Sequence, residues 1–86
     1  MAFANVSGGS IAAGKTVRYR FWWPEDADKG AQFFMAYPPS GNRPAVLTTF
    51  DVGMSRTDLN GMNYWSTVRN EGPSDTNVNF TGGGFV

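Results

Sequence analysis

Turn-forming residues interrupt this chain so often that no segment between them is long enough for a typical helix. Clusters of Gly, Pro, Asn and Asp recur about every 8–12 residues, and the segments between them are rich in β-branched and aromatic residues. The stretch SIAAGK is too short to form a helix. The pattern predicts an all-β chain of six or seven short strands.

The clearest strand covers residues 16 to 23, where side chains of two kinds alternate until Pro24 ends the pattern. Further strands are predicted at residues 2–7, 31–37, 45–52, 63–69 and 76–81. The connections between successive strands are too short for parallel crossovers, so neighbouring strands are antiparallel. Residues 1–86 are predicted to form one domain, a small antiparallel β-sandwich, with a small β-barrel as the alternative.

Alternation along each strand separates the predicted core from the surface. The side chains expected to point inwards are Tyr19, Phe21, Trp23, Phe33, Met35, Phe50, Tyr64, Val68, Val78 and Phe80. Val46 and Val52 share the inward parity of Phe50, whereas Leu47 and Thr49 take the outward parity. An aromatic content of 15% provides this short chain with large side chains that can bury much apolar surface in a core.

An aromatic strand, a turn and a returning strand follow one another in the segment YWSTVRNEGPSDTNVNF. The positions that define this arrangement are Tyr64, Val68, Asn70, Gly72, Val78 and Phe80. The arrangement resembles the closing hairpin of many small immunoglobulin-like sandwiches. This resemblance implies a sandwich of immunoglobulin-like type but no activity, because such folds carry many functions.

Composition excludes several classes of site. The chain contains no Cys and no His, so the thiolate and imidazole ligands of zinc and iron sites are missing. Seven basic and seven acidic residues are interspersed and leave zero net charge, with no basic stripe for nucleic acid. No apolar run approaches the ~20 residues of a membrane-spanning helix. We therefore expect no cofactor, no nucleic-acid partner and no membrane span.

An acidic turn is the candidate metal site. Asp26 and Asp28 precede Gly30 and resemble the opening of a calcium-binding loop. The acidic residue that would complete such a loop is missing, since Gln32 and apolar residues follow. A solvated hairpin turn explains the same residues, because Asp favours turns and Gly closes them. The sequence leaves both interpretations open at this turn.

The distribution of polar groups argues against catalysis. Five of the seven carboxylates fall in predicted turns, where nothing raises the pKa of an acid. Without His, a serine or threonine nucleophile would need Lys15 or Lys29 as its base, and both lysines lie in predicted turns. No Gly-rich phosphate loop opens a helix. The chain is therefore predicted not to be an enzyme.

Two tryptophans take outward parities beside charged or polar side chains. Exposed rings can be covered by a loop, buried in a homo-oligomer or used to bind a ligand. We predict that Trp22 and Trp65 are neighbours on the outer face of one sheet, which requires strands 16–23 and 63–69 to pair. The candidate ligand-binding or interface residues are Trp22, Trp65, Arg18, Arg20, Arg69 and Gln32.

These residues favour a non-catalytic binding module, with carbohydrate as the first ligand class. Sugars present C–H faces to flat rings and hydroxyl groups to planar polar side chains. The alternative is a structural or self-associating protein, or a subunit of a larger assembly, in which the same rings form an interface rich in Trp and Arg. The mass of the protein in solution discriminates between the two classes.

Overall fold

The structure, a computed structural model, describes residues 4–23, 29–41, 44–56 and 61–84. Its strands are β1 (Ala4–Ile11), β2 (Thr16–Phe21), β3 (Gln32–Tyr37), β4 (Leu47–Arg56), β5 (Met62–Asn70) and β6 (Thr76–Gly84). They form two three-stranded antiparallel sheets with the orders β1-β6-β3 and β2-β5-β4. The predicted all-β antiparallel sandwich is confirmed, whereas its immunoglobulin-like type stays a prediction. The candidate calcium turn with Asp26 and Asp28 lies outside the described residues.

The core lies between the two sheets and is dominated by rings. Among the described residues, the buried hydrophobic side chains are Ile11, Phe34, Ala36, Met62, Tyr64, Val68, Val78 and Phe80. Tyr19, Phe21, Trp23 and Leu47 are partly buried and pack against this cluster. The inward positions predicted for Tyr64, Val68, Val78 and Phe80 are therefore confirmed.

Aromatic contacts join the sheets across the core. The Phe21 and Phe34 rings, from β2 and β3, stack with centroids 3.9 Å apart and planes 4° from parallel. Tyr19 and Phe21 each meet Phe80 of β6 edge to face, with centroids 4.8 and 5.0 Å apart. Since such pairs stabilise beyond the area that they bury, these rings hold β2 to two of the three strands of the facing sheet, β3 and β6.

The predicted facing of β3 is wrong. Phe34 and Ala36 point into the core, whereas Met35 is 63% exposed and Phe33 is only half-buried. In β6, Gly82 is opposite Phe34. A Cβ atom on Gly82 would lie 2.6 Å from Cδ1 of Phe34, so the missing side chain makes room for this ring. The sequence of β3 offers either facing, since each of its two phenylalanines is opposite a glycine of β6, and in the structure Phe34 is the ring that packs inwards and stacks on Phe21.

The predicted facing of β4 is also wrong. Val46, Phe50 and Val52 were expected inside but are 53%, 42% and 48% exposed. Leu47 packs against the core instead. Thr49 is half-buried, and its Oγ1 accepts a 3.0 Å hydrogen bond from the backbone N–H of Ala36 in β3. A polar side chain thus occupies an inward position because it binds the edge of the facing sheet.

A bulge in β4 explains why alternation fails along this strand. The register with β5 shifts between Phe50 and Gly53, so Asp51 and Val52 together oppose one residue of β5. Asp51 has a positive φ of 51°, a backbone conformation that Asp tolerates better than most residues. Pairing with β5 continues through Gly53 to Arg56.

Candidate functional site

Charge is divided unequally between the two sheets. The strands of the β1-β6-β3 sheet contain no Lys, Arg, Asp or Glu along their described ranges. The charged strand residues all belong to the β2-β5-β4 sheet, and they are Arg18, Arg20, Asp51, Arg56 and Arg69. Most of these side chains take the outward parity of Trp65, so the outer face of this sheet carries the candidate site. We call the part formed by Arg18, Arg20, Asp51 and Trp65 the Trp65 face.

The indole of Trp65 lies across the neighbouring strand instead of standing free in solvent. Trp65 is in the central strand β5, opposite Arg20 on one side and Gly53 on the other. A Cβ atom on Gly53 would lie 2.5 Å from Cζ2 of the indole, so the ring depends on this glycine. Nε1 of Trp65 is buried without a hydrogen-bond partner among the described residues. No hydrogen bond from Nε1 to a described residue holds the half-buried ring.

Arg18 and Asp51 flank this ring. Cζ of Arg18 lies 5.4 Å from the centroid of the Trp65 ring, within the range of a cation–π contact. The same guanidinium forms an ion pair with the Asp51 carboxylate. Thr67 Oγ1 donates a longer hydrogen bond of 3.4 Å to that carboxylate. The bulge thus orients the Asp51 side chain towards the outer face. The ion pair with Asp51 holds the Arg18 guanidinium beside the Trp65 ring.

Arg20 continues the outer face towards Trp22. Nη2 of Arg20 donates a 2.9 Å hydrogen bond to Oδ1 of Asn63, which orders both planar groups. Trp22 follows the last residue of β2 and is 65% exposed, the largest exposed fraction among the large hydrophobic side chains described. Trp22, rather than the half-buried Trp65, therefore offers the accessible ring.

The strand pairing required by the prediction for the two tryptophans is confirmed. β2 and β5 are antiparallel neighbours in the same sheet, with Arg20 directly opposite Trp65. Trp22 comes two residues after Arg20 and lies just beyond β2. Contact between the two indoles stays a prediction.

Two candidate residues do not join this group. Arg69 is on the same face of β5 but four residues from Trp65, about 13 Å along a strand. It donates a hydrogen bond of 3.3 Å to Thr16 Oγ1 and lies 3.9 Å from a carboxylate oxygen of Glu71. Gln32 belongs to β3 of the other sheet, where its amide donates to the carbonyl of Lys29. Gln32 was therefore assigned to the wrong surface.

Sequence reasoning missed Asp51 as a member of the site. Asp51 was not among the candidate residues, because alternation along a strand gives no information about a bulge. The available signal was the glycine two residues later, since Gly within a strand often marks a bulge or a close approach. Gly53 satisfies both descriptions, because it follows the bulge and lies under the indole.

Replacing Asp51 separates the ion pair from the backbone strain at the bulge. Asp51→Asn removes the charge but keeps a residue that tolerates positive φ. We therefore expect it to lower the free energy of unfolding by about 0.5 kcal/mol. Asp51→Ala should lower the free energy of unfolding by about 1 kcal/mol more than Asp51→Asn, because alanine is strained at this φ. Urea unfolding monitored by tryptophan fluorescence measures both changes. Equal losses for the two variants would show that the positive φ contributes no strain.

The Trp65 face is open and flat in the part of the chain that the structure describes. There, no cavity is present and no three metal-ligating side chains cluster. Burial raises the pKa of Tyr19, which places this phenol further from ionisation at neutral pH. The face offers a flat surface with ordered guanidinium and amide groups, and the accessible indole of Trp22 lies next to it at the end of β2.

Comparisons with protein-family models, curated proteins and solved structures found no match to this chain. Over the described ranges, no helix is long and apolar enough to cross a membrane.

Proposed function

We propose that this protein is a non-catalytic binding module that binds carbohydrate on the Trp65 face, with Trp22 as the ring that contacts the sugar. The observation that carries this proposal is the 65% exposure of Trp22 next to the end of β2. An exposed indole offers a flat apolar surface to a ligand, although single exposed rings are common on protein surfaces. The neighbouring polar groups decide which class of molecule suits the ring.

The polar groups near Trp22 suit hydroxyl-bearing ligands. The Arg20–Asn63 pair holds a guanidinium and an amide on the outer face, so little side-chain freedom is lost when they bind a ligand. Asp51 and Thr67 place a carboxylate and a hydroxyl group further along the same face. Planar donors and acceptors beside a ring match the alternating C–H and O–H surfaces of a sugar.

The flat shape favours a polysaccharide chain over a small sugar. No cavity encloses a ligand among the described residues, so a mono- or disaccharide would leave much of its surface in water. A longer chain can contact Trp22 and then extend along the outer face of β2 and β5. We therefore expect affinity to increase with the number of sugar units.

Trp22→Ala tests this function. We expect the wild-type chain to be retarded in native gels that contain a soluble polysaccharide, and Trp22→Ala to migrate as in an empty gel. Because the ring is exposed, the free energy of unfolding should change by no more than about 0.5 kcal/mol. The panel should contain neutral and acidic polysaccharides, because Arg20 has no ion-pair partner among the described residues.

Trp23→Ala is the matched control for stability. Trp23 packs edge to face on Tyr64 with centroids 5.4 Å apart, so its loss should destabilise the fold by about 3 kcal/mol. If no polysaccharide retards the wild-type chain and a glycan array is silent, the carbohydrate assignment is excluded. Retardation that survives Trp22→Ala would exclude this ring as the contact.

A structural or self-associating role is the second candidate function. A different observation favours it: the exposed apolar side chains of the edge strand β4, which include Phe50, Val52 and Met54. Trp22 and Trp65 were the rings expected to mark such an interface, but Trp65 is half-buried against Gly53. Self-association would therefore use other residues.

A further inference from the structure

Positive and negative charges do not cancel on the Trp65 face. Two of its members, Arg18 and Arg20, are cations and one, Asp51, is an anion, so the face carries one excess positive charge. The Asp51 carboxylate forms its ion pair with Arg18. Arg20 is exposed, and its guanidinium has no carboxylate partner among the described residues. This face therefore presents one cation to an anionic group of a ligand.

The Arg20 side chain is directed towards the end of β2 where Trp22 lies. The last pair of the β2–β5 ladder is Phe21 with Tyr64. The next position along the chain is Trp22 after β2 and Asn63 in β5. Asn63 is the residue that accepts the 2.9 Å hydrogen bond from Nη2 of Arg20. The guanidinium and the exposed indole therefore lie at the same end of the outer face.

We infer that this surface selects acidic polysaccharides, in which Arg20 binds the carboxylate of a uronic acid while a sugar ring contacts Trp22. This inference rests on the proposed carbohydrate binding and names the ligand class of the same site. In a uronic acid the carboxylate is attached directly to the sugar ring. One unit or two adjacent units therefore present a C–H face and an anion together, which matches an indole beside a guanidinium.

The hydrogen-bonding capacity of Arg20 suits a carboxylate. A guanidinium is planar and has five N–H donors. Nη2 donates to Asn63, whereas Nε and Nη1 have no hydrogen-bond partner among the described residues. A planar carboxylate accepts two parallel hydrogen bonds from such a group. Because the bond to Asn63 already orders the side chain, less conformational freedom is lost when the carboxylate binds.

The position of Asp51 favours uronic acids over densely sulfated sugars. Arg18 is already paired with Asp51, and the carboxylate of Asp51 is half-exposed on the same outer face. Anions that follow the first one along β2 therefore meet a negative charge, which repels them. A densely sulfated chain carries several anions over this length, whereas a uronic acid unit carries one. The face thus fits a polysaccharide of low charge density.

The rest of the molecule provides no competing source of this selectivity. The strands of the β1-β6-β3 sheet contain no Lys, Arg, Asp or Glu along their described ranges, so binding there would be insensitive to ligand charge. The chain as a whole has zero net charge and does not attract polyanions at long range. A preference for uronic acids would therefore report a local contact on the β2-β5-β4 sheet.

Polysaccharides that differ only at the carboxylate test this inference. Surface plasmon resonance would compare immobilised alginate, polygalacturonate and hyaluronan with the carboxyl-reduced form of each. We expect at least one of these acidic polymers to bind wild type about tenfold more tightly than its reduced form, because hydrogen bonds to a charged group contribute about this factor. The preference should weaken at about 1 M salt, where the Debye length is about 3 Å.

Substitutions at Arg20 assign the preference to this side chain. Arg20→Gln should reduce affinity for the acidic polymer about tenfold and change affinity for the reduced polymer less than about twofold. Arg20→Lys keeps the charge but not the planar donors, so its affinity should fall between those of wild type and Arg20→Gln. Lys15→Gln removes the same charge from an exposed turn residue before β2 and should leave both affinities unchanged. Trp22→Ala should weaken binding of both forms.

The possible outcomes separate this inference from the proposed function. Wild type that binds the reduced polymers as tightly as the acidic ones would overturn the inference and leave carbohydrate binding in place. Equal losses for Arg20→Gln and Lys15→Gln would overturn the assignment to Arg20. Dextran sulfate bound as tightly as the best acidic polymer would overturn the selection of carboxylates. Absence of binding to every polymer, acidic or neutral, would overturn both proposals.

Discussion

Replacing Gly82 with alanine is expected to remove about 3 kcal/mol of the free energy of unfolding. Gly82 is in the central strand β6, between β1 and β3. A Cβ atom at this position would lie 2.6 Å from Cδ1 of Phe34 and would also overlap the backbone carbonyl oxygen of Phe33. The ring could turn aside only by leaving its stack on Phe21, and the carbonyl could move only with its strand. Both responses disrupt the core.

Gly9→Ala is the control for this prediction. Gly9 has a φ of 76°, but a Cβ atom there would have no neighbour within 4 Å. Alanine at this position should therefore lower the free energy of unfolding only through the strain of a positive φ, by about 1–2 kcal/mol. Urea unfolding of both variants, monitored by tryptophan fluorescence, compares a steric change with a conformational one. A Gly82→Ala variant no less stable than Gly9→Ala would contradict the packing described for Phe34.

Asn70→Asp is expected to destabilise the fold by about 3–5 kcal/mol at neutral pH. Asn70 is fully buried at the end of β5. Its Nδ2 donates to the carbonyl oxygens of Ile11 and Ser74 at 3.0 and 2.9 Å, and its Oδ1 accepts from the N–H of Gly72 at 2.9 Å. A carboxylate would keep the last bond and would point a negative oxygen at two carbonyl oxygens. The segments that contain Ile11 and Ser74 would lose their hydrogen bonds to residue 70.

The loss caused by Asn70→Asp should depend on pH. Burial and the two carbonyl oxygens would raise the pKa of the introduced carboxyl above its unfolded value of about 3.9. A group whose pKa is raised on folding contributes its stability below the unfolded pKa and loses it as pH rises. The variant should therefore be closest to wild type near pH 4 and should weaken towards neutrality. Urea unfolding at a series of pH values, relative to wild type, measures this difference.

Two substitutions separate the contributions at Asn70. Asn70→Ala removes the three hydrogen bonds without adding a charge, so its loss should not vary with pH relative to wild type. Asn63→Asp makes the same chemical change where Arg20 donates to the amide oxygen, and it should change stability by no more than about 0.5 kcal/mol. If the Asn70→Asp loss were the same at every pH, the carboxyl would not be buried among carbonyl groups.

Alternation correctly predicted which side chains point inwards in strands that have one apolar and one polar face. In β2, arginines alternate with aromatic residues, so one parity alone suits the core, and Tyr19 and Phe21 pack there. β3 reads QFFMAY and is apolar on both parities, so its facing depends on packing against distant strands, where Phe34 stacks on Phe21 of β2 and lies over Gly82 of β6. No pattern local to β3 contains that information.

The candidate site was predictable only in part, for a related reason. Trp22 was identified because a ring after two outward arginines contrasts with its neighbours. The half-burial of Trp65 depends on Gly53 and on the β4 bulge, which set the register between two strands. Gln32 was assigned to the same surface from parity, yet parity does not specify which sheet a strand joins. The sequence pattern does not specify which strands pair or in which register.

The position of β6 has a consequence for the time order of folding. The β2-β5-β4 sheet contains the local β4–β5 pair and can assemble once Met62–Asn70 has been synthesised. The other sheet cannot, because β1 and β3 both pair with β6 and not with each other. A newly made chain therefore carries two unpaired strands until Thr76–Gly84 emerges from the ribosome. Such distant pairing slows folding to the order of milliseconds to seconds. Until then β1 must stay soluble without a partner strand. Its sequence is uncharged and contains Asn, Ser and Gly.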